Sequence, residues 1–248
     1  MNPQGALNFA RNVACQCIPE LHERPLYLVQ PAADSKVARY VTDRRLGMYC
    51  RGLDSALRSQ LEAEGRWQGP GVGIIVDAEA CYAVAGNDDN GMRRVVGVTL
   101  HELAHWLDDP EPAAAERTTY HELLAAIDKH QRREAKPTRI PPAFVGHGES
   151  FIRLCCHLWY RAGHGGGIIL PPRYLAFGND YPSLEMLDSP LAYIDALGDE
   201  LHVYLGLPLR GVATLPQPEQ FTMLWDATLM QMFPTTAAVP LAEEPDGL

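Results

Sequence analysis

The sequence predicts an α+β fold, and three observations carry that reading. Short β-like apolar runs bounded by proline and glycine are confined to the first 76 residues. Stretches with helical spacing dominate from there to about residue 232. Strands come first and helices follow, which is the order of an α+β chain and not of alternating βαβ units.

Taken in order, residues 5–15 have the spacing of a short helix. Leu26-Tyr27-Leu28-Val29 reads as a strand set between Pro25 and Pro31. From Arg51 to Glu64 one helix is expected, with Leu53, Leu57 and Leu61 on one stripe and Gly65 as its stop. Gly69-Pro70-Gly71 then breaks the chain ahead of Val72-Gly73-Ile74-Ile75-Val76, a buried strand. Asp77 is placed to cap a short helix through Tyr82, with a second strand there as the alternative. Gly86 to Gly91 reads as a polar loop, and a helix is expected from Met92 to Asp108, closed by Asp108-Asp109-Pro110. Beyond it the pattern gives a helix over 113–131, a proline-containing loop over 133–142 and a helix from Glu149 to Ala162. Gly163 to Gly167 forms a turn, and helical stretches lie near 183–205 and 218–232. The organisation is thus one domain over 1–232, with 113–142 as a helical and loop insertion and 233–248 as a disordered tail.

The totals exclude several classes of function. No apolar run approaches the roughly 18 residues of a membrane span, so no membrane partner is expected. The formal charge of −10 opposes a general affinity for nucleic-acid backbones, and the basic cluster from Lys129 to Arg139 reads as a solvated helix end. The six cysteines, at 15, 17, 50, 81, 155 and 156, form no disulfide framework, and Met1 to Gly5 lacks the basic start of a secretory signal. A reducing, cytoplasmic setting is the expectation. Cys15-x-Cys17 and Cys155-Cys156 read as core or incidental thiols.

Chemistry is concentrated in one place. Residues 101–105 are His-Glu-Leu-Ala-His, following the apolar run Val95 to Leu100. A helix turns about 100° per residue, so His101 and His105 present two imidazoles to one point and Glu102 projects beside them. Two such ligands with a neighbouring carboxylate are the zinc-hydrolase arrangement. By composition alone the three fixed letters arise in roughly one sequence in fifty, so the apolar run before them and the stop after them are needed as context. A catalytic zinc takes three protein ligands and leaves one position for water. Three residues are candidates for the third: His147, set between Gly146 and Gly148 at a helix start that Phe151 and Leu154 would anchor; Glu149, on that helix; and Glu122, on the intervening one.

His101-Glu102-Leu103-Ala104-His105 with a later His147-Gly148-x-x-Phe151 resembles the zincin-like metallopeptidases, in particular their SprT-like branch. The resemblance runs from Val95 to Leu154. It implies a zincin-like fold, with a small mixed sheet packed on the active-site helix, and Zn2+ held by His101, His105 and His147. It also implies Glu102 as catalytic base and a peptide or protein substrate. In that frame the strand at 72–76, as an edge strand beside the site, would pair with an extended peptide. Tyr174, Tyr181, Arg153, His157 and His164 are the downstream candidates for stabilising an oxyanion. Asp108 and Asp109 are candidates for supporting the ligand histidines. A different class of reading is a zinc-stabilised interaction protein, its site closed by a fourth side chain such as His121, His157 or His164. A zinc hydrolase acting on other amides or esters is a third.

Overall fold

The computed structural model describes residues 2–31, 46–49, 51–86, 88–109, 147–174 and 190–232. Glu122, His121, Tyr181, Cys50, Gly146, the 113–142 insertion and the 233–248 tail lie outside them. Among the described residues the protein is a mixed α+β structure with a small three-stranded sheet and mostly helical content. No helix there is long and apolar enough to cross a membrane.

Helix α1 (Pro3–Cys17) starts where Asn2 caps it, its side chain accepting from the Gly5 amide at 2.6 Å, with proline in the first turn. Ala6, Leu7, Ala10, Val13, Ala14 and Cys17 face inward at helical spacing. A 3-10 turn (Pro19–His22) leads to strand β1 (Leu26–Val29), and strand β2 (Gly47–Tyr49) comes next in sequence. The single helix expected over 51–64 is instead two short ones, α2 (Leu53–Ala56) and α3 (Arg58–Ala63), separated at Leu57. The break leaves Leu53, Leu57 and Leu61 in one apolar cluster, so the stripe is kept although the helix is not continuous. Strand β3 (Val72–Val76) follows, and Asp77 caps helix α4 (Ala78–Ala85) by accepting from the Ala80 amide at 2.9 Å.

The sheet order is β1-β3-β2, with β3 parallel to β1 and antiparallel to β2. Alternate residues divide between two cores. Leu26, Leu28, Val72, Ile74 and Val76 join the large helical core; Tyr27, Val29, Met48 and Ile75 join α2 and α3 on the other side. Coverage of both faces explains why β1 and β3 are apolar throughout. It also corrects the expectation for β3. That strand lies in the centre, paired on both sides, so it has no free edge to offer a peptide; among the described residues β1 and β2 are the edge strands.

Helix α5 (Asp88–Asp108) carries the His-Glu-x-x-His segment and packs against α1, α4, β2 and β3. It begins four residues before the expected Met92, so Asp88 to Gly91 form a helical turn and not a loop. Asp88 and Asp89 sit in that first turn, where the positive end of the helix favours carboxylates. Helix α6 (Glu149–His164) crosses α5, turning Phe151, Leu154, Cys155 and Leu158 into the core. A 3-10 turn (Pro172–Tyr174) then lies against α5. The C-terminal part is made of α7 (Pro190–Leu197), α8 (Glu200–Val203), α9 (Leu209–Thr214) and α10 (Glu219–Met232). The stretch expected near 183–205 is thus α7 and α8 among the described residues, and α9 is an additional helix.

The face of α6 away from α5 carries polar groups that are fully buried. Arg153 donates Nε to Glu200 Oε1 at 2.8 Å and Nη2 to Oε2 at 2.9 Å, and it reaches the carbonyls of Leu215 and Pro216. His157 Nε2 lies 2.8 Å from the same Glu200 Oε1. One turn further, Arg161 donates to the carbonyls of Cys17, Tyr204 and Leu207. These contacts lock α6 to α8 and to the segment after α9. Burial holds His157 below its ordinary value of 6.5, more than the Glu200 carboxylate raises it. Burial alone would raise Glu200, but the His157 hydrogen bond and Arg153 together bring it below 4.5.

Both folded-state values are therefore depressed, and the unfolded chain takes up more protons on acidification. The His157 contribution to stability is complete above about pH 6.5 and is lost as pH falls below it; the Glu200 contribution goes below about pH 4.5. With metal removed, the melting temperature should fall from pH 7 towards pH 4. His157→Gln should flatten the upper part of that fall. Calorimetry across this range checks both, and a melting temperature that rises on acidification contradicts the assignment.

Candidate metal centre

The azimuth of α5 is set by its apolar residues. Val95, Val96, Leu100, Leu103, Ala104 and Leu107 are all buried, which turns His101 and His105, spaced four apart and half-buried, along one line of the opposite side, with the buried Gly97 one turn before them. The rings of His101 and His105 stand 5.0 Å apart between centroids. His147, two residues before α6, is buried and brings the third ring, 5.2 Å from His101 and 4.7 Å from His105. One donor atom from each histidine lies within 4.8 Å of the other two, and no fourth His, Cys, Asp or Glu joins this group among the described residues.

The Nε2 atoms of His101 and His147 are 3.3 Å apart. Two nitrogens bound to one tetrahedral zinc at about 2.0–2.1 Å are separated by roughly that distance. Three imidazoles, with nitrogen donors of borderline softness, suit zinc chemically. The donor set therefore fits such an ion. Phe151, on the first turn of α6, packs against all three rings, at 5.1 Å from His101, 4.4 Å from His105 and 4.7 Å from His147. It is fully buried and gives the cluster an apolar floor that restricts ring rotation.

Glu102, 100° round the helix from His101, is not part of the group. It turns towards β2, where its Oε2 accepts the Tyr49 amide at 2.8 Å. This approach depends on Gly47. A Cβ there would meet Val98 Cγ1 at 2.5 Å and the Glu102 Cγ and Oε1 at 3.0 and 3.1 Å. On the N-terminal side, Gly97 admits the 3-10 turn, since a Cβ on it would lie 2.6 Å from Tyr174 Cβ. That places Tyr174 on the ligand-bearing side of α5, one turn before His101, with Arg94 5.5 Å from the centre of its ring.

The far end of α5 is held by three arginine and carboxylate groups. Asp109 donates its amide to the His105 carbonyl at 2.9 Å and receives Tyr49 Oη at 3.2 Å and Arg51 Nε at 2.9 Å. Arg51 Nη2 also binds Asp109 Oδ1. Arg210, from α9, donates to the carbonyls of Trp106 and Asp109 at 2.7 and 2.8 Å and lies over the Trp106 ring. These are the last carbonyls of the helix, which lack partners within it.

Of the third-ligand candidates, His147 is the one brought to the histidine pair; Glu149 stays outside the group, and Glu122 lies beyond the described residues. Arg153 and His157 are committed to Glu200, and His164 stacks on Tyr160 with its Nδ1 3.0 Å from the Tyr160 carbonyl. None of these three joins the site, which leaves Tyr174 among the described oxyanion candidates. Asp108 is exposed, whereas Asp109 supports the backbone of His105. The thiols of Cys17 and Cys156, pushed up to about 12 by burial, stay protonated and are poor metal ligands. Sequence reasoning missed Gly47, Tyr49, Arg51 and Arg210. Only Gly47, two positions before the aromatic Tyr49, offers a signal, and it is a weak one. No family model, no curated protein and no solved structure matches the chain.

If His147 is the third ligand, His147→Ala should lower zinc affinity by more than the roughly 100-fold that loss of a supporting contact costs. Glu149→Ala should leave it unchanged. Competition with a chromophoric chelator measures both, and equal losses would contradict the assignment.

Proposed function

We propose that the chain is a zinc-dependent metallopeptidase of zincin-like type, hydrolysing peptide bonds with Glu102 as general base. The observation that carries the reading is the convergence of three imidazoles with a carboxylate directed beside them and not into them. An all-protein set of four ligands would close the site; three leave a position for water.

His101, His105 and His147 hold the metal. When bound, zinc supplies Lewis acidity that polarises a carbonyl and makes water acidic enough to give up a proton near neutral pH. Glu102 accepts that proton on its carboxylate as the oxygen attacks the scissile carbonyl carbon, and then delivers it to the leaving amine nitrogen as the C–N bond breaks. The Tyr49 amide fixes Oε2 and so the plane of the carboxylate, which keeps the base oriented between the two transfers. Phe151, packed on all three rings, keeps water from that side of the cluster. We assign oxyanion stabilisation to Tyr174, whose backbone and Cβ lie against Gly97, one turn before His101. Such a substrate is a peptide or protein chain, and the chain's acidity argues against a nucleic-acid one.

Purified protein should bind one zinc per chain and cleave a denatured protein in a chelator-sensitive manner. Glu102→Gln should lower kcat by about 100-fold to 10,000-fold while zinc stays bound. Metal analysis alongside a peptide-release assay measures this; full activity in that variant refutes the role given to Glu102.

A further inference from the structure

The general base is held by a main-chain group of a very short strand. β2 is three residues long and among the described residues pairs with β3, so this short ladder fixes it weakly. Yet Tyr49 makes two contacts that reach across α5: its amide binds Glu102 and its hydroxyl binds Asp109. Those acceptors are seven residues apart, about 10 Å along a helix. The second metal-binding histidine lies between them.

We infer that Asp109, with Arg51 and Tyr49, is a positioning clip that holds β2 against α5 and thereby orients Glu102. The inference rests on reading Glu102 as the base. Asp109 is tied in four directions: to the His105 carbonyl through its own amide, to Tyr49 and Arg51 through its carboxylate, and to Arg210 through its carbonyl. Arg51 grips both carboxylate oxygens, a forked contact that fixes direction as well as distance.

Stability does not account for this cluster. The Arg51 and Asp109 side chains are 37% and 24% exposed, and ion pairs in such settings add little. A carboxylate at the C-terminal end of a helix also opposes the helix dipole. What the cluster does provide is a fixed separation between the strand that presents the Tyr49 amide and the helix that presents Glu102. Asp109 and Arg51 are positioning residues: Asp109 is not one of the three clustered ligand candidates, and both act on Glu102 through β2.

The test uses the full chain and two variants, Tyr49→Phe and Asp109→Asn. An amide proton bound to a carboxylate resonates downfield, and Glu102→Gln identifies the Tyr49 signal by shifting it upfield. Both clip variants should shift the same signal upfield in metal-free protein, where catalysis plays no part. With zinc bound they should lower kcat about tenfold, leave KM within about twofold, and leave zinc affinity unchanged. Tyr49→Phe removes one oxygen and keeps the ring, so it remains informative if Asp109→Asn folds poorly. An unmoved Tyr49 amide signal in both variants overturns the clip. So does a rise in KM with kcat unchanged, or a loss of zinc affinity matching that of His147→Ala. If the wild-type zinc protein cleaves no peptide, the functional reading fails, while the amide signal still decides whether the clip exists.

Discussion

Burial of helix α5 is the constraint from which the rest of the site follows. Val95, Val96, Leu100, Leu103, Ala104, Trp106 and Leu107 are withdrawn from water on one side of it. Each buried leucine or valine is worth roughly 1.5–3 kcal/mol, so rotation of the helix about its axis would expose several of them at once. The direction of every polar residue on the helix is therefore inherited from the core. His101 and His105 are sent to a common point because they are four apart, and Glu102 is sent 100° away because it is one apart. The same geometry makes two of these residues candidates to bind a metal and excludes the third.

The remaining histidine needs a different support, since it belongs to another helix. His147 precedes α6, and α6 is fixed on both sides. Phe151 joins it to the imidazoles, while Arg153, His157 and Arg161, at successive turns, bind Glu200 and backbone carbonyls of the C-terminal part. A buried guanidinium is tolerated only when its donors are satisfied and its charge is matched, and Glu200 meets that condition for Arg153. The C-terminal helices thus act on the site indirectly. They brace the helix whose N-terminal approach presents the third ring.

Much of this was legible in the residues, and what was not has identifiable causes. The strands at 26–29 and 72–76 are apolar on both faces and bounded by proline or glycine, which makes them visible locally. The two helices of the site have long amphipathic stripes, and His147 stands out because no bulky neighbour crowds it. β2 is invisible for the opposite reason: Gly-Met-Tyr is too short to show a period, and its pairing with β3 is non-local. Asp88 to Gly91 reads as a loop by propensity, yet the carboxylates are stabilised by the helix end they occupy. The central place of β3 depends on which strands flank it, a property of topology that no local window contains. Arg153 and His157 look like reactive groups in sequence, because Glu200 lies more than 40 positions away from both.

The missed element is also the one that touches Glu102. A main-chain donor has no letter of its own: any residue but proline at position 49 supplies an N–H. Its value lies wholly in its location. Location is set elsewhere, by Gly47 admitting the strand beside Val98 and Glu102, and by the carboxylate of Asp109 gathering Tyr49 and Arg51. Sensitivity to substitution is consequently displaced from the contact to its supports. A sequence search for what holds Glu102 looks among side chains, and the Tyr49 contact escapes it because the donor is a peptide N–H. The side chains that matter to this contact are those that hold the peptide bond still.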